Sequence, residues 1–229
     1  MSKIEVTLID SMGSCLSVVN AARVSFGKKS EWDGGSHPDF DPVKRLSERD
    51  IKLIKYLAKH KHISPFGHAF ASFHIKAPIF VARQLVKHKF LRWNEISRRY
   101  VDEEPEFYVP DVWRGRSADK KQGSDGVSLW NHGMGTGYRD SEYEVMDSIR
   151  SLYLDMIDIG VAPEQARMVL PQSTMTEWYW SGSLDALADM CRLRCKEDTQ
   201  YESRVVADQI STIMQGLYPV SWAALMGET

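Results

Sequence analysis

The strongest constraint on the fold is the spacing of apolar residues between positions 141 and 159. Apolar side chains recur there every three or four residues, which places them on one face of an α-helix. They are Val145, Met146, Ile149, Leu152, Met156 and Ile159. The sequence therefore predicts a long amphipathic helix, whose apolar face needs a packing partner.

Shorter periodic segments predict further elements. Alternation of apolar and polar residues indicates strands over residues 4–8 and 69–76. Ser47 can cap a helix, with Asp50 three residues later in an arrangement close to a capping box. Other helices are predicted over residues 16–26, 79–88, 163–166, 184–194 and 201–217. Few strands, several long helices and no repeat or linker favour one α+β domain over residues 1–229.

The composition is that of an ordinary soluble protein. Of the 229 residues, 43% are hydrophobic and 26% are charged, and the net charge is only −2. This charge argues against a general nucleic-acid binder, which is usually basic. Three cysteines without a Cys-x-x-Cys pair suit a reducing compartment. We expect a cytoplasmic protein, because there is no signal peptide and no apolar run near the roughly 20 residues that cross a bilayer.

Positive charge is concentrated in residues 83–100, which read R-Q-L-V-K-H-K-F-L-R-W-N-E-I-S-R-R-Y. The segment holds six Lys or Arg residues and one His against a single acid. The polar side chains of Gln84, Asn94 and Ser97 lie among them. Cations mixed with directed donors are typical of an anion site, and phosphate is the obvious candidate.

Two arginines outside this segment are further candidates. Arg167 follows the predicted helix over residues 163–166. Arg194 lies one helical turn from Met190 and Cys191, beside an apolar face. An arginine in that position is either paired with a carboxylate or directed into a cleft, and the sequence leaves both readings open.

Lys87-His88-Lys89, followed by seven residues and then Ser97, is similar to the Arg-His-Arg signature of the flavin-dependent thymidylate synthases. Other segments that resemble this family lie at residues 21–26, 62–68, 73–84, 94–100, 106–110, 166–171 and 193–202. They follow in order along most of the chain, which makes the resemblance specific. It implies a fold like that of the family, a small, mostly antiparallel sheet flanked by several long helices.

The resemblance also implies an activity, the reductive methylation of dUMP to dTMP. The dUMP site would be formed by Gln84, Leu85, Val86, Lys87, Glu95, Ile96, Ser97, Arg98, Arg99, Arg167 and Arg194. Ser, Gln and Arg donors suit a phosphate, and an arginine fork also suits a uracil edge. Arg194 takes the position from which the family activates the pyrimidine, where a guanidinium would stabilise enolate charge.

The cofactors follow from the same resemblance. FAD would be bound by His62, Ser64, Lys87, His88, Lys89, Glu95 and Ser183. Reduced nicotinamide, NADPH in our prediction, would reduce the flavin, and methylenetetrahydrofolate would supply the carbon. The folate would then leave as tetrahydrofolate. Members of the family form homotetramers whose sites combine several subunits, so we expect a homotetramer here.

The chain departs from the family pattern at several positions. Lys87 and Lys89 replace both signature arginines, which keeps the charge and loses the bidentate geometry. Asp185, Asp189 and Asp198 stand where relatives have Arg, Asn and His. Because an acid facing FAD phosphates would repel them, these three positions are left out of the predicted FAD site.

Two other functions stay open at the level of sequence. The lysine replacements make a degenerate relative conceivable, one that binds flavin or nucleotide without turnover. A nucleic-acid-binding module would use basic and aromatic residues to contact backbone and stack bases: Lys87, Lys89, Arg92, Trp93, Arg98 and Arg99.

Two further expectations concern metals and a glycine-rich segment. No metal site is expected, because the histidines lie on different predicted elements without a known ligand spacing. Residues 115–137 hold six glycines and are predicted to be a mobile excursion able to order over a ligand.

Overall fold

The computed structural model describes residues 3–33, 45–118, 124–127 and 137–227. Within them, six strands form two antiparallel sheets: β1 (Glu5–Met12), β2 (Phe70–Pro78), β3 (Arg92–Glu95), β4 (Arg114–Arg116), β5 (Ser124–Val127) and β6 (Met175–Ser183). The main sheet has the strand order β1-β2-β6-β3. Strands β4 and β5 pair separately as a hairpin.

Eight α-helices are described in the same residues: α1 (Cys15–Arg23), α2 (Glu48–Lys59), α3 (Ile79–Leu85), α4 (Gly137–Asp158), α5 (Pro163–Ala166), α6 (Leu184–Arg194), α7 (Tyr201–Leu217) and α8 (Pro219–Met226). Short 3-10 turns lie at Val24–Phe26, Ser64–His68 and Arg167–Val169. Helices α6, α7 and α8 pack against one another, and α1 and α2 contact α8. This mixed architecture confirms the predicted α+β fold with a small antiparallel sheet and flanking helices.

The core lies on one face of the main sheet. Strand β2 buries Phe73 and Ile75, while its alternate residues stay partly exposed, as the alternation predicted. Trp180 and Trp178 of β6 stand opposite these two residues and are also buried. Each such side chain contributes about 1.5–3 kcal/mol when it leaves water, so this face anchors the fold.

The basic segment is fixed to the sheet through Trp93. Strand β3 pairs with β6 so that Trp93 stands opposite Trp180. The Trp93 ring stacks on Trp178, with 4.5 Å between ring centroids and 19° between ring planes. The residues that follow β3 therefore leave the sheet from a rigid aromatic base.

Several predicted helices are confirmed. Those over residues 163–166, 184–194 and 201–217 have the predicted bounds. The long helix is also confirmed, although it begins at Gly137 and ends at Asp158. Ser47 caps α2, its Oγ accepting from the Asp50 backbone N–H at 3.2 Å.

Two helix predictions were too long. The helix predicted over residues 79–88 ends at Leu85, because the chain turns there and Phe90 adopts a positive φ of 66°. Pro78 ends β2 and occupies the N-cap position of α3 without a side-chain capping hydrogen bond. The helix predicted over residues 16–26 ends at Arg23 and tightens into a 3-10 turn before Gly27, whose φ of 60° stops it.

Strands β3 and β6 and helix α8 were not predicted. Of the glycine-rich segment 115–137, residues 119–123 and 128–136 lie outside the described residues. Its described part belongs to the β4–β5 hairpin and to the start of α4.

Candidate functional site

A cleft of about 750 Å³ opens beside the end of β3 and the turn Arg167–Val169. Residues from the segment after β3 line one side of it. The cleft brings together six of the predicted dUMP residues: Glu95, Ile96, Ser97, Arg98, Arg99 and Arg167. We call these six residues the cleft group.

The Glu95 carboxylate is held in place from both sides. Its Oε1 accepts a hydrogen bond from Thr176 Oγ1 at 2.7 Å. Its Oε2 accepts from Trp93 Nε1 at 3.2 Å. Because Trp93 is itself stacked in the sheet, the orientation of the carboxylate follows from the fold.

Ser97 and Arg99 form a local donor pair. Arg99 Nε donates to Ser97 Oγ at 3.2 Å, and the Arg99 guanidinium lies 5.0 Å from the centroid of the Tyr100 ring. Arg98 is held by its own contact, because its Nη1 donates to the backbone oxygen of Glu103, which also lines the cleft, at 2.6 Å. Arg99 is exposed and forms no ion pair with a described residue, so its remaining N–H groups can bind an anion.

Charges of both signs line the cleft, but several acids already have partners. Lys76 Nζ lies 2.9 Å from Glu106 Oε1, and this hydrogen bond is the main reason why the pKa of Lys76 is raised. His74 Nε2 lies 3.0 Å from Glu177 Oε2. Arg83 and Arg167 also line the cleft, and within the described chain neither forms an ion pair.

A second set of predicted residues meets where α3 and α6 end. Arg194 Nε donates to His88 Nε2 at 2.9 Å, and Arg194 Nη2 lies 3.5 Å from the Gln84 backbone oxygen. We call Gln84, His88 and Arg194 the Arg194 group. The contact requires an unprotonated Nε2, so His88 is neutral in this arrangement.

The electrostatics of the Arg194 group agree with this state. Burial lowers the pKa of His88, the Arg194 charge lowers it further, and Asp189 opposes both effects. Burial also lowers the pKa of Arg194, although the guanidinium remains charged. A partly desolvated guanidinium interacts more strongly with a nearby negative charge than a hydrated one does.

The Gln84 side chain is fixed by residues of α7 and the turn before it. Its Oε1 accepts from Ser203 Oγ at 2.9 Å, and its Nε2 donates to Gln200 Oε1. Leu85 is fully buried in the core, whereas Val86 and Lys87 are exposed beside it. None of the three residues of the Arg194 group lines the cleft of about 750 Å³. Within one chain, the Arg194 group therefore lies outside the cleft that contains the cleft group.

The residues predicted for FAD lie on several elements: His62 and Ser64 follow α2, Lys87, His88 and Lys89 follow α3, Glu95 ends β3 and Ser183 ends β6. Lys87 and Lys89 are exposed, and neither pairs with an acid among the residues described. Ser183 precedes α6 without making a capping hydrogen bond. The turn Ser64–His68 contacts both β6 and α6, which brings the neighbourhoods of Ser64 and Ser183 together.

This donor set suits a flavin dinucleotide. The two ammonium groups can neutralise a diphosphate, and the serine hydroxyls can bind a sugar or ribityl chain. Near Ser183, the buried Asp185 Oδ1 has no hydrogen-bond partner in the described part of the chain. A buried acceptor of this kind favours a donor such as a hydroxyl group.

Sequence reasoning missed the residues that fix the side chains of Glu95 and Gln84. Thr176 and Trp93 orient Glu95, and Gln200 and Ser203 orient Gln84. Gln200 lies in residues 193–202, a segment that resembles the family, and this resemblance could have marked it as a candidate. No comparable signal marked Ser203 or Thr176, because their roles depend on contacts across the fold.

Neither a metal site nor a membrane span is found in the part of the chain that the structure describes. In residues 3–33, 45–118, 124–127 and 137–227, no group of three or more His, Cys, Asp or Glu side chains is placed to hold a metal ion. The helices of these same ranges include none long and apolar enough to cross a bilayer.

Comparison with known proteins identifies the family. The profile of the family described as "Thymidylate synthase complementing protein" matches residues 7–220. The chain is 38% identical over 219 residues to a flavin-dependent thymidylate synthase of Thermus thermophilus, covering 96% of this chain and 74% of that enzyme. The enzyme of the same name from Kosmotoga olearia is 37% identical over 222 residues, with 96% and 89% covered.

A solved structure agrees with these matches. The UMP/dUMP methylase PolB from Streptomyces cacaoi, bound with 5-Br UMP, has a TM-score of 0.82 and 31% identity, covering 100% of this chain and 96% of that one. The class is therefore that of the thymidylate synthase complementing proteins. The chain belongs to the flavin-dependent thymidylate synthase family, which confirms the resemblance seen in the sequence.

Proposed function

We propose that this protein is a flavin-dependent thymidylate synthase that converts dUMP to dTMP. In the balanced reaction, dUMP, methylenetetrahydrofolate, NADPH and a proton give dTMP, tetrahydrofolate and NADP⁺. The observation that carries the proposal is the cleft in which Ser97 and Arg99 lie beside the fixed Glu95, in a chain of this family. Exposed donors next to an oriented acceptor suit a nucleotide monophosphate.

In this proposal, the cleft group binds the nucleotide. Arg99 and Ser97 would donate to phosphate oxygens, and Arg167, which has no acidic partner among the described residues, would add a second guanidinium. Glu95 accepts from Thr176 and Trp93, and its remaining lone pairs would accept from a sugar hydroxyl or a ring N–H. Ile96 and Arg98 would border the same site.

Arg194 would assist the chemical step. A guanidinium placed beside the uracil carbonyl would stabilise the negative charge that develops on the ring as the carbon unit arrives. His88 and the Gln84 carbonyl already hold this guanidinium in one position, so little reorganisation is needed. The acceptor Nε2 of neutral His88 leaves the positive charge of Arg194 intact for the substrate.

FAD would be bound by His62, Ser64, Lys87, His88, Lys89, Glu95 and Ser183. When bound, it supplies the reducing equivalents that convert the transferred carbon unit into a methyl group. Lys87 and Lys89 would neutralise the diphosphate as point charges, since ammonium groups lack the arginine fork. His88 would have two roles, one toward FAD and one toward Arg194.

The separation of the two groups supports a shared site. We infer a homotetramer in which the cleft group of one subunit faces the Arg194 group of another. Large apolar side chains are exposed near both groups, including Phe90, Tyr100 and Met168, and an interface would cover them.

A location in the cytoplasm, supported by three free thiols, and one domain over residues 1–229 stay predictions.

A spectrum and a coupled assay test the proposed function. Purified protein should be yellow, with flavin absorbance at about 450 nm, and should oxidise NADPH in a dUMP-dependent way. UMP belongs in the same assay, because PolB is described as a UMP/dUMP methylase. Colourless protein that binds no added FAD would refute the proposal.

One alternative is tested by the same assay. Lys87 and Lys89 in place of arginines make conceivable a protein that binds flavin or nucleotide without turnover. Such a protein would be yellow and bind dUMP, yet form no dTMP. The wild-type assay therefore separates the two functions in one experiment.

A further inference from the structure

Hairpin β4–β5 is tied to the base of α7 by Arg114. Arg114 Nη2 forms an ion pair with Glu202 Oε1, and Arg114 Nε donates to Ser124 Oγ at 2.7 Å. The Arg114 guanidinium also lies 4.6 Å from the centroid of the Tyr201 ring. One side chain thus joins both strands of the hairpin to the helix that carries Ser203.

Glu202 is the buried member of this pair. Its side chain is 4% exposed, whereas that of Arg114 is 27% exposed. Over the residues that the structure describes, no second cation forms an ion pair with Glu202. Removing one partner of such a pair is most costly when the remaining charge is buried. Loss of Arg114 should therefore cost more free energy than loss of Glu202.

The Glu202 charge also sets the orientation of two amides. A carboxylate can only accept, so the Gln200 amide turns its Nε2 toward Glu202 Oε2, at 3.3 Å. Gln200 Oε1 then faces Gln84 and accepts from its Nε2. Gln84 Oε1 is left to accept from Ser203 Oγ.

The fixed orientation leaves Gln84 with one defined capacity. One N–H of its Nε2 is used by Gln200, and the second is available to donate to a ligand oxygen. Gln84, Arg114, Gln200 and Glu202 line a common cleft of about 500 Å³, so these contacts face space that a ligand can enter. An amide oriented in advance binds an acceptor without first losing rotational freedom.

We propose that Arg114 is a positioning residue for nucleotide binding, acting on Gln84 through Glu202 and Gln200. This inference rests on the proposed binding of dUMP by Gln84. Without Arg114, Glu202 either rotates toward water or takes up a proton. Rotation removes the acceptor that orients Gln200, and protonation lets the Glu202 carboxyl donate as well as accept. In either case Gln84 no longer presents a defined N–H to the nucleotide.

The test is a double-mutant cycle read by calorimetric titration of the FAD-loaded protein with dUMP. Arg114→Met keeps the length of the side chain and removes the charge, and it should weaken dUMP binding about tenfold or more. KM for dUMP should rise with it, while kcat changes less. Arg116→Met is the matched control, since Arg116 is an exposed residue of the same strand, and it should bind dUMP like the wild type.

The second side of the cycle uses Glu202→Gln. This variant removes the buried charge, so it should weaken dUMP binding less than Arg114→Met does. The double variant should bind dUMP as Glu202→Gln alone does, because no uncompensated carboxylate remains. Arg114→Lys, which restores the charge, should recover most of the affinity.

Several outcomes would overturn the proposal. One is a dUMP affinity of Arg114→Met equal to that of the wild type. Another is a double variant whose loss of dUMP affinity equals the sum of the losses in the two single variants. Should Arg114→Met fail to fold, the double variant must still fold and bind dUMP like Glu202→Gln, and its failure would also contradict the inference. A wild-type protein that binds no dUMP would instead refute the proposed function, so the two failures are distinguishable.

Discussion

At the scale of residues, the contact between Arg194 and His88 explains how a guanidinium can be held ready for chemistry. The imidazole accepts from Arg194 Nε, so it orients the arginine without neutralising its charge. An acid in that position would form an ion pair and reduce the positive potential offered to a substrate. His88, the middle residue of the Lys-His-Lys motif, therefore has a contact in the fold that is separate from its predicted contact with FAD.

Replacing Arg194 tests this role. Arg194→Ala should lower kcat for dTMP formation by about 10²–10³, because one donor to the developing charge is lost. FAD absorbance should persist, since Arg194 is not among the predicted FAD residues. Steady-state kinetics and a visible spectrum measure both properties. Arg192→Ala, two residues earlier on the same helix, is the control, and equal losses in both variants would contradict the assignment.

The ionisation of His88 gives a pH-dependent prediction. Burial and the Arg194 charge hold its pKa below the ordinary value of 6.5, against the opposing effect of Asp189. The folded protein therefore binds fewer protons here than the unfolded chain, and stability is lost as the pH falls from 6.5 toward the lower folded pKa. Above that window the group contributes no pH dependence.

His88→Gln removes the titrating group and keeps a side chain that can accept from Arg194. As the pH falls below the ordinary His pKa, the Tm of His88→Gln should therefore decrease less steeply than the Tm of the wild type. Thermal unfolding over a pH series measures this, and identical curves for His88→Gln and wild type would contradict the prediction.

At the scale of elements, the sequence predicted what local periodicity controls. Helices α5, α6 and α7 were placed at their bounds, because their apolar spacing and flanking residues are local signals. Strand β6 was missed because most of its residues are buried or partly buried, which hides the alternation of a strand. Strand β3 has four residues, and its identity depends on pairing with β6.

In the candidate site, too, local sequence predicted some features, and others depend on contacts between distant residues. The cleft group is nearly continuous in sequence and was predicted as a motif. The contact between Arg194 and His88 joins residues 106 positions apart, and that between Gln84 and Ser203 joins residues 119 apart. No local pattern encodes such contacts, so the separation of the two groups became visible only in the fold.

The junction between β1 and α1 gives a prediction about stability. Gly13 has a φ of +84°, and a Cβ added there would lie 2.7 Å from the His68 backbone oxygen. Gly13→Ala should lower the free energy of unfolding by about 1–3 kcal/mol, because the residue is strained and the clash involves backbone. Urea unfolding measures this loss. Gly67→Ala, where nothing lies within 4 Å of the added Cβ, should change stability far less, and equal losses would contradict the account.

At the scale of the whole molecule, the proposed homotetramer would assign two half-sites to each chain. The cleft group and the Arg194 group occupy different places in one chain, and each presents groups that suit a nucleotide. If subunits share sites, a variant defective in one group can complement a variant defective in the other. A monomer with separate sites cannot show this behaviour.

Subunit mixing tests this arrangement. Arg99→Ala and Arg194→Ala should each be nearly inactive alone, and an equal mixture after subunit exchange should recover about a quarter of wild-type activity. That fraction follows if each site draws one group from each of two randomly chosen subunits. Light scattering should show a tetramer in every sample. A mixture no more active than its components would contradict the shared site.

The identity of the products tests the central claim most directly. The FAD-loaded protein is incubated with dUMP, methylenetetrahydrofolate and NADPH, and the nucleotides and folates are separated and identified by mass. The account predicts dTMP and tetrahydrofolate in equal amounts, because the flavin, and not the folate, provides the reducing equivalents. Dihydrofolate in place of tetrahydrofolate, or NADPH oxidation without dTMP, would contradict it.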